Sequence, residues 1–312
     1  MSKEVAAGRS WTAIEGVRKT LRILRGASAG SLHDGDFCSS PGGKTHRRDV
    51  DLTRAFVAHY GVASRLVIPV TACTAMDMRI VALSDQHGYL PEIQPCNLLI
   101  VAGDVCPDGI GPSLAEHHPA KQKAWFDHHV RPWLATSPAA HKVLTWGNHD
   151  WCGQACSFEG DSPAAASSTA LQILVDDVTT VPSDGAAGRS ISIWATPWSN
   201  PFMNWAFMKS RAELADVYAA IPDGVDILVS HQPPYGYGDR YDHVGSREVE
   251  HLGSRELLAA IERVRPRLVI CGHLHGGHGC FEYDGIPIYN VSVVNDQYRL
   301  VRSPTVIDIP GW

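Results

Sequence analysis

The chain has 312 residues, 44% hydrophobic and 19% charged, a globular balance with ample material for one large α/β domain or two small ones. Its formal net charge of −6 leaves no overall electrostatic footprint for a nucleic-acid backbone, so a nucleic-acid partner is disfavoured. No run approaches the roughly 18 uninterrupted apolar residues of a membrane span, and the opening MSKEVAAGRSW lacks the apolar segment of a secretory signal.

Residues 1–77 stand apart, with 11 Lys and Arg against 7 Asp and Glu. The segment 10–25 predicts a basic amphipathic helix, with Trp11, Ile14, Val17, Leu21 and Leu24 on one side. The Gly- and Ser-rich stretch after it reads as loop or disorder. The whole region is expected to be an N-terminal extension without chemistry, followed by a domain at 78–312.

From Met78 onward short aliphatic runs recur: RIVALS (79–84), NLLIVAG (97–103), KVLTWG (142–147), SISIWAT (190–196), DILVS (226–230), RLVICG (267–272) and PIYNVSVV (287–294). Such continuous runs suit strands buried on both faces. Helices are expected between them, at 116–135, 164–176, 208–220 and 253–264. Strands interleaved with helices predict an α/β layered fold. The eight cysteines are scattered through a large chain, which favours reduced thiols in a cytoplasmic enzyme over a disulfide framework.

Five of the strands end in metal-binding residue types. RIVALS runs into Asp85-Gln86-His87, NLLIVAG into Asp104, and KVLTWG into Asn148-His149-Asp150. DILVS runs into His231, and RLVICG into His273-Leu274-His275. The C-terminal edge of an α/β sheet is where ligands bind. Imidazoles and carboxylates with one amide oxygen, and no thiolate, suit a pair of borderline-hard divalent ions. Asp85 and His87, two apart in a tight turn, can aim at one ion, whereas His273 and His275 can splay to two.

SDQH, GD, GNHD, the His of SHQPP, and GHLH together resemble the signature of the calcineurin-like metallophosphoesterase superfamily. The resemblance spans residues 78–312. ATPWSNPF (195–202), SHQPPYGYGD (230–239) and GSRELLAAIERVRPRLVICGHLHGGHG (253–279) are similar to the MPPED-type metallophosphoesterase-domain group, whose members hydrolyse phosphodiesters including cyclic nucleotides. The resemblance implies a four-layer α/β/β/α sandwich of two mixed sheets. It also implies two divalent ions (Mn²⁺, Fe²⁺/Fe³⁺, Zn²⁺ or Ni²⁺). Asp85, His87, Asp104 and His275 would hold the first; Asp104, Asn148, His231 and His273 would hold the second, with Asp104 as the bridge. Two ions so placed would clamp a phosphoryl group and activate a bridging water. His149 would be the non-ligand catalyst, stabilising a phosphate oxygen or protonating the leaving alkoxide. Asp150 would orient it, or else cap a following helix. Asn148, His149 and His278 would contact the substrate, a small phosphoester.

Other residues have blander readings. His117, His118, His128 and His129 read as surface histidines, and Cys152 and Cys156 as core or inert thiols. Trp194, Trp198 and Trp205 read as packing, with stacking on a nucleobase as the alternative. The ligand set alone does not separate a phosphodiesterase from a phosphomonoesterase. Near the motifs lie Arg240 and Arg247 but no dense basic cluster, which tilts the reading toward diesters. A non-catalytic interaction module fits less well, since all seven ligand positions are filled, and a nuclease fits less well because the domain is acidic and shows no appended DNA-binding segment.

Overall fold

The structure, a computed structural model, describes residues 78–107, 109, 118–156, 171–183, 189–242 and 249–310. The extension expected at 1–77, His117 and Arg247 lie outside these residues.

The first sheet is built from β1 (Met78–Leu83), β2 (Cys96–Ala102), β3 (Ala139–Thr145) and β4 (Leu171–Ile173). The second takes β5 (Asp177–Pro182), β6 (Ser190–Thr196) and β7 (Ile227–Ser230). A two-stranded ribbon, β8 (Arg240–Asp242) and β9 (Val249–His251), follows. Strands β10 (Leu268–Cys271), β11 (Gly279–Tyr283) and β12 (Ile286–Asn290) complete the second sheet, and β13 (Thr305–Ile309) returns to the first. The strand orders are β13-β1-β2-β3-β4 and β11-β12-β10-β7-β6-β5. Within the first sheet β1 to β4 run parallel and β13 is antiparallel. In the second, β6, β7, β10 and β12 run parallel, with antiparallel β5 and β11 outside them. Both sheets are mixed, as expected.

The layering follows from the period-2 alternation of the apolar runs. Ile80, Ala82, Leu98 and Ile100 of the first sheet meet Ile193, Ile227, Val229, Leu268 and Ile270 of the second in one buried core. The alternate residues Val81, Leu83, Leu99 and Val101 face Phe126, Val130 and Leu134. Those three belong to a helical stretch made of α1 (Pro119–Trp125), a π turn (Phe126–Val130) and α2 (Arg131–Thr136). On the other side Leu228, Val269 and Cys271 pack on Leu214, Tyr218, Leu257 and Ile261. A short helix α3 (Trp151–Ala155) packs Cys152 into the core of the first sheet, and α4 (Arg211–Ala219) and α5 (Arg255–Val264) cover the second sheet. Ser210 and Glu213 start α4 with a reciprocal capping box, and the Ser254 hydroxyl starts α5 by accepting from the Leu257 amide at 3.1 Å.

One expected helix is corrected. Of the segment 164–176, residues 171–173 form β4, because their backbone completes a parallel ladder with Lys142–Leu144. Local periodicity cannot register a ladder offered by a strand some thirty residues away. The sheets meet at the functional edge, where Ser84 bridges in parallel to Ser292: its amide donates to Val291 O at 3.1 Å, and its carbonyl accepts from Val293 N at 3.0 Å.

Candidate metal centre

Five parallel strands deliver their polar residues one to five positions past their last residue. Asp85 and His87 follow β1, Asp104 follows β2, and Asn148, His149 and Asp150 follow β3. His231 follows β7, and His273 and His275 follow β10. Four of these residues take left-handed backbone: Asp85 (φ 55°), His87 (φ 43°), Asp104 (φ 54°) and His273 (φ 67°). A non-glycine residue there costs about 1–3 kcal/mol, and such strain collects where a site over-determines the chain. It turns the strand ends sharply enough to aim their side chains inward.

The resulting geometry is two overlapping clusters. The donor atoms of Asp85, His87 and His275 lie within 4.8 Å of one another, as do those of Asp104, His231 and His273. A third set, His87, Asp104 and His149, connects them within the same spacing. Asn148 joins the second cluster, its Oδ1 being 2.9 Å from His231 Nε2. All seven expected ligand side chains are thus brought together, with Asp104 between the halves. Its Oδ2 lies 3.3 Å from His231 Nε2, 3.9 Å from His87 Nε2 and 4.0 Å from His149 Nε2.

The donor chemistry fits cations. His231 Nδ1 is 2.9 Å from the Ala102 carbonyl and His275 Nδ1 is 3.1 Å from that of Asn295. Each contact directs the N–H outward and turns Nε2 toward the cluster, the usual outer support of a metal-ligating imidazole. His87 and His275 present their Nε2 atoms to each other at 3.3 Å, a spacing at which both could ligate one ion. Gly147 and Gly272 leave room for this crowding. A Cβ at Gly147 would collide with Asp104 Oδ1, and one at Gly272 with Ser84 Oγ and Asp85 Oδ2.

Electrostatics bind the cluster together. Burial alone would raise the carboxyl of Asp104, but His231 and His149 beside it hold it well below its ordinary value. Asp85, also opposed by burial, is lowered by contact with His275. Burial works against a charged His231, yet Asp104 wins and pushes it up to about 9. His273 goes the other way, down to about 3, from burial and the neighbouring His231. Burial and the Asp104 charge push Asp150 up to about 6.

Side chains behind the site hold its parts. Asp85 accepts from the hydroxyls of Ser84 and Ser292, each at 2.5 Å, and from the amide of His273 at 3.0 Å. Gln122, buried on α1, donates to the His149 carbonyl at 2.8 Å and accepts from Cys152 N at 3.1 Å. Sequence reasoning missed Gln122, Ser292 and Asn295, because each acts from an element with no motif of its own. It also missed Tyr298, whose ring sits edge-on to His87, His149 and His275 at centroid distances of 4.6, 5.9 and 5.1 Å.

Asp150 has other partners than those expected. It occupies the N-cap position of α3 but makes no side-chain cap bond. Its carboxylate accepts from Val105 N (3.0 Å), Cys106 N (2.8 Å) and Gly147 N (2.9 Å), so it staples the loop after β2 to the loop after β3. His278 ends the 3-10 turn His275–Gly277 and is half-buried, its pKa lowered by burial and by the Arg302 charge. His128 and His129 are exposed on the π turn, in keeping with surface histidines. Cys152 is buried with its sulfur 3.5 Å from that of Cys106, inside the core of the first sheet. Trp194 is buried, and Trp198 donates to Asp176 at 2.6 Å. Only Trp205 of the three tryptophans reaches the site, 3.9 Å from His149 between ring centroids.

Comparison with known proteins identifies the family. A family model described as calcineurin-like phosphoesterase matches residues 78–277. Human metallophosphoesterase domain-containing protein 1 is 31% identical over 249 residues, covering 74% of this chain and 71% of its own. A UPF0046 protein of Caenorhabditis elegans is 28% identical over 267 residues, and this chain spans only 60% of that relative's length. Among solved structures, phosphopantetheinyl hydrolase from Mycobacterium tuberculosis superposes on 72% of this chain and 92% of its own, at 15% identity and a TM-score of 0.41. The chain belongs to the calcineurin-like phosphoesterase family, and its buried Asp and His clusters have the form of a dinuclear metal site.

Proposed function

We propose that the chain hydrolyses small phosphodiesters, cyclic nucleotides among them, at a dinuclear metal centre. The observation that carries this reading is the shared position of Asp104 between two three-donor clusters, with the His149 imidazole beside it. Asp85, His87, Asp104 and His275 would hold one ion; Asp104, Asn148, His231 and His273 would hold the other. When bound, the pair supplies Lewis-acid charge to the phosphoryl oxygens and a water of lowered pKa.

The chain's own residues supply the rest. Asn148, His149 and His278 meet the phosphoryl group. The His149 amide donates to Asp104 Oδ1 at 2.8 Å, so its ring is placed relative to the bridging carboxylate by a backbone bond. From there Nε2 stabilises a phosphoryl oxygen or delivers a proton to the departing alkoxide, help typically worth about 10²–10⁴-fold. Asp150 and Gln122 fix the backbone on which His149 rides. Among the described residues the cation that acts on His278 is Arg302, itself held by the carbonyls of Val294 (2.5 Å) and Ser292 (3.3 Å). A singly charged diester suits such a lining better than a dianionic monoester.

The test is turnover of bis(p-nitrophenyl) phosphate, p-nitrophenyl phosphate, and 2′,3′- and 3′,5′-cyclic AMP after metal stripping and Mn²⁺ restoration. Metal-dependent preference for the diesters supports the proposal. Preference for the monoester reassigns the protein to the phosphomonoesterases.

A further inference from the structure

Two aromatic rings lie against the proposed proton donor. The Trp205 ring packs on His149 at 3.9 Å and 51°, and Tyr298 approaches the same imidazole edge-on at 5.9 Å. Each is held by bonds that end on the site itself. The loop carrying Trp205 is closed at its base by Ser199 N to Phe207 O (2.9 Å), and Ala206 N donates to the carbonyl of Asn148 at 3.0 Å. Tyr298 stands on a turn built around Asn295. The Asn295 side chain accepts from the amides of Gln297 and Arg299, each at 3.1 Å, and its carbonyl faces both Tyr298 N (2.8 Å) and His275 Nδ1 (3.1 Å).

Core packing does not account for these rings. The interior aromatics Trp146 and Tyr218 are only 1% exposed, whereas Tyr298 leaves 40% of its surface in solvent, on left-handed backbone at φ 56°. A bulky aromatic residue in that conformation is strained, and the exposed part of the ring gains nothing from burial. The strain is met by the Asn295 turn, which fixes the ring over three of the site's histidines.

We propose that Trp205 and Tyr298 are specificity-determining residues that form an aromatic wall beside His149, selecting phosphoesters whose ester arm is a flat aromatic ring. A phosphoryl oxygen within hydrogen-bond reach of His149 Nε2 lies about 3 Å from it. The arm attached to that phosphorus then extends within contact of rings centred 3.9 and 5.9 Å from the same imidazole. Aromatic faces accept any planar ring, a nucleobase or a simple aryl group, without reading its hydrogen-bonding edge. The wall therefore chooses a shape of substrate rather than one base. The inference deepens the phosphodiesterase reading, on which it rests for the arm being an ester of phosphate.

Two measurements test it separately from that reading. The first is calorimetric binding of phenyl phosphate and methyl phosphate to the Mn²⁺-loaded full chain. The wild type is expected to bind the phenyl compound about tenfold more tightly, within what ring stacking confers. Tyr298→Leu and Trp205→Leu should each lose most of that preference while methyl phosphate binds within twofold of wild type, and Tyr298→Phe should keep it. The second is the KM for phenyl p-nitrophenyl phosphate against methyl p-nitrophenyl phosphate, which share a leaving group. Tyr298→Leu should raise KM about tenfold for the phenyl ester only. Equal losses on both arms, in binding or in KM, would mean that the rings merely support the His149 and His275 loops. Wild-type indifference to the ring would also overturn the wall. A chain that prefers phenyl phosphate yet turns over no diester keeps the wall and loses the diesterase reading.

Discussion

Asp104 and His149 are tied by a single backbone bond: the amide of His149 donates to Asp104 Oδ1 at 2.8 Å, while the other carboxylate oxygen lies 4.0 Å from the His149 ring. The carboxylate shared by the two clusters is thus joined through the backbone to the residue that carries the proposed proton donor.

His149→Gln should therefore separate chemistry from assembly, since the amide bond to Asp104 survives. The expected result is a fall in kcat of about 10²–10⁴-fold with the metal content of purified protein unchanged. The fall should be larger for alkyl esters than for p-nitrophenyl esters, whose leaving group needs no proton. Equal losses across leaving groups would assign His149 to oxygen stabilisation alone.

Asp150→Asn keeps the shape but sets an amide NH₂ against backbone N–H groups of Val105, Cys106 and Gly147. Each buried donor left without its acceptor costs roughly 1–3 kcal/mol. Urea unfolding of the metal-loaded protein should show a loss in that range, with a smaller proportional change in kcat. The opposite split, intact stability with kcat lost, would place Asp150 in the reaction itself.

Gly272→Ala tests how closely the two sheets approach. The added methyl would meet Ser84 Oγ and Asp85 Oδ2, displacing the carboxylate that the two serines hold. Overpacking of this kind costs about 1–3 kcal/mol, and uptake at the Asp85, His87 and His275 cluster should weaken at least tenfold. Metal analysis after dialysis measures it, and full retention of both ions would show that the loop yields.

Metal uptake should release a proton from His231. In the metal-free chain Asp104 raises this imidazole to about 9, so at pH 7 it is protonated, and a ligand must be neutral. The sign follows: the raised pKa opposes binding below about pH 9 and ceases to above it. Affinity at the second cluster should climb with pH between 6.5 and 9, by up to about tenfold per unit from this group. Calorimetry at pH 7 in buffers of different ionisation enthalpy should count about one proton per ion at that cluster, and a count of zero would contradict the assignment.

The chemical content of the site was legible in the sequence because it sits where strands stop. Asp85, Asp104, Asn148, His231 and His273 each follow an apolar run by one to three residues, and strand periodicity is a local property that short windows reveal. The helical stretches over α4 and α5 were legible for the same reason, and the structure starts them at the caps Ser210 and Ser254. What escaped were β4, β5, β8, β9, β11 and β13: β4, β8 and β9 are only three residues long, and β4 and β13 exist through ladders with partners distant in sequence.

Thus the sequence by itself determined the kind of chemistry: five strand ends bearing carboxylate, imidazole and amide donors, in an order that marks a family. Only the tertiary structure decided how those donors share space. It placed Asp104 between two clusters, gave the Asp150 carboxylate to three backbone amides, and brought Trp205 and Tyr298 from separate loops to one imidazole. The reason is physical. Donor type is carried by single residues, whereas distance between donors is set by sheet register and loop closure, which bring together residues as distant as His87 and His275, 188 apart.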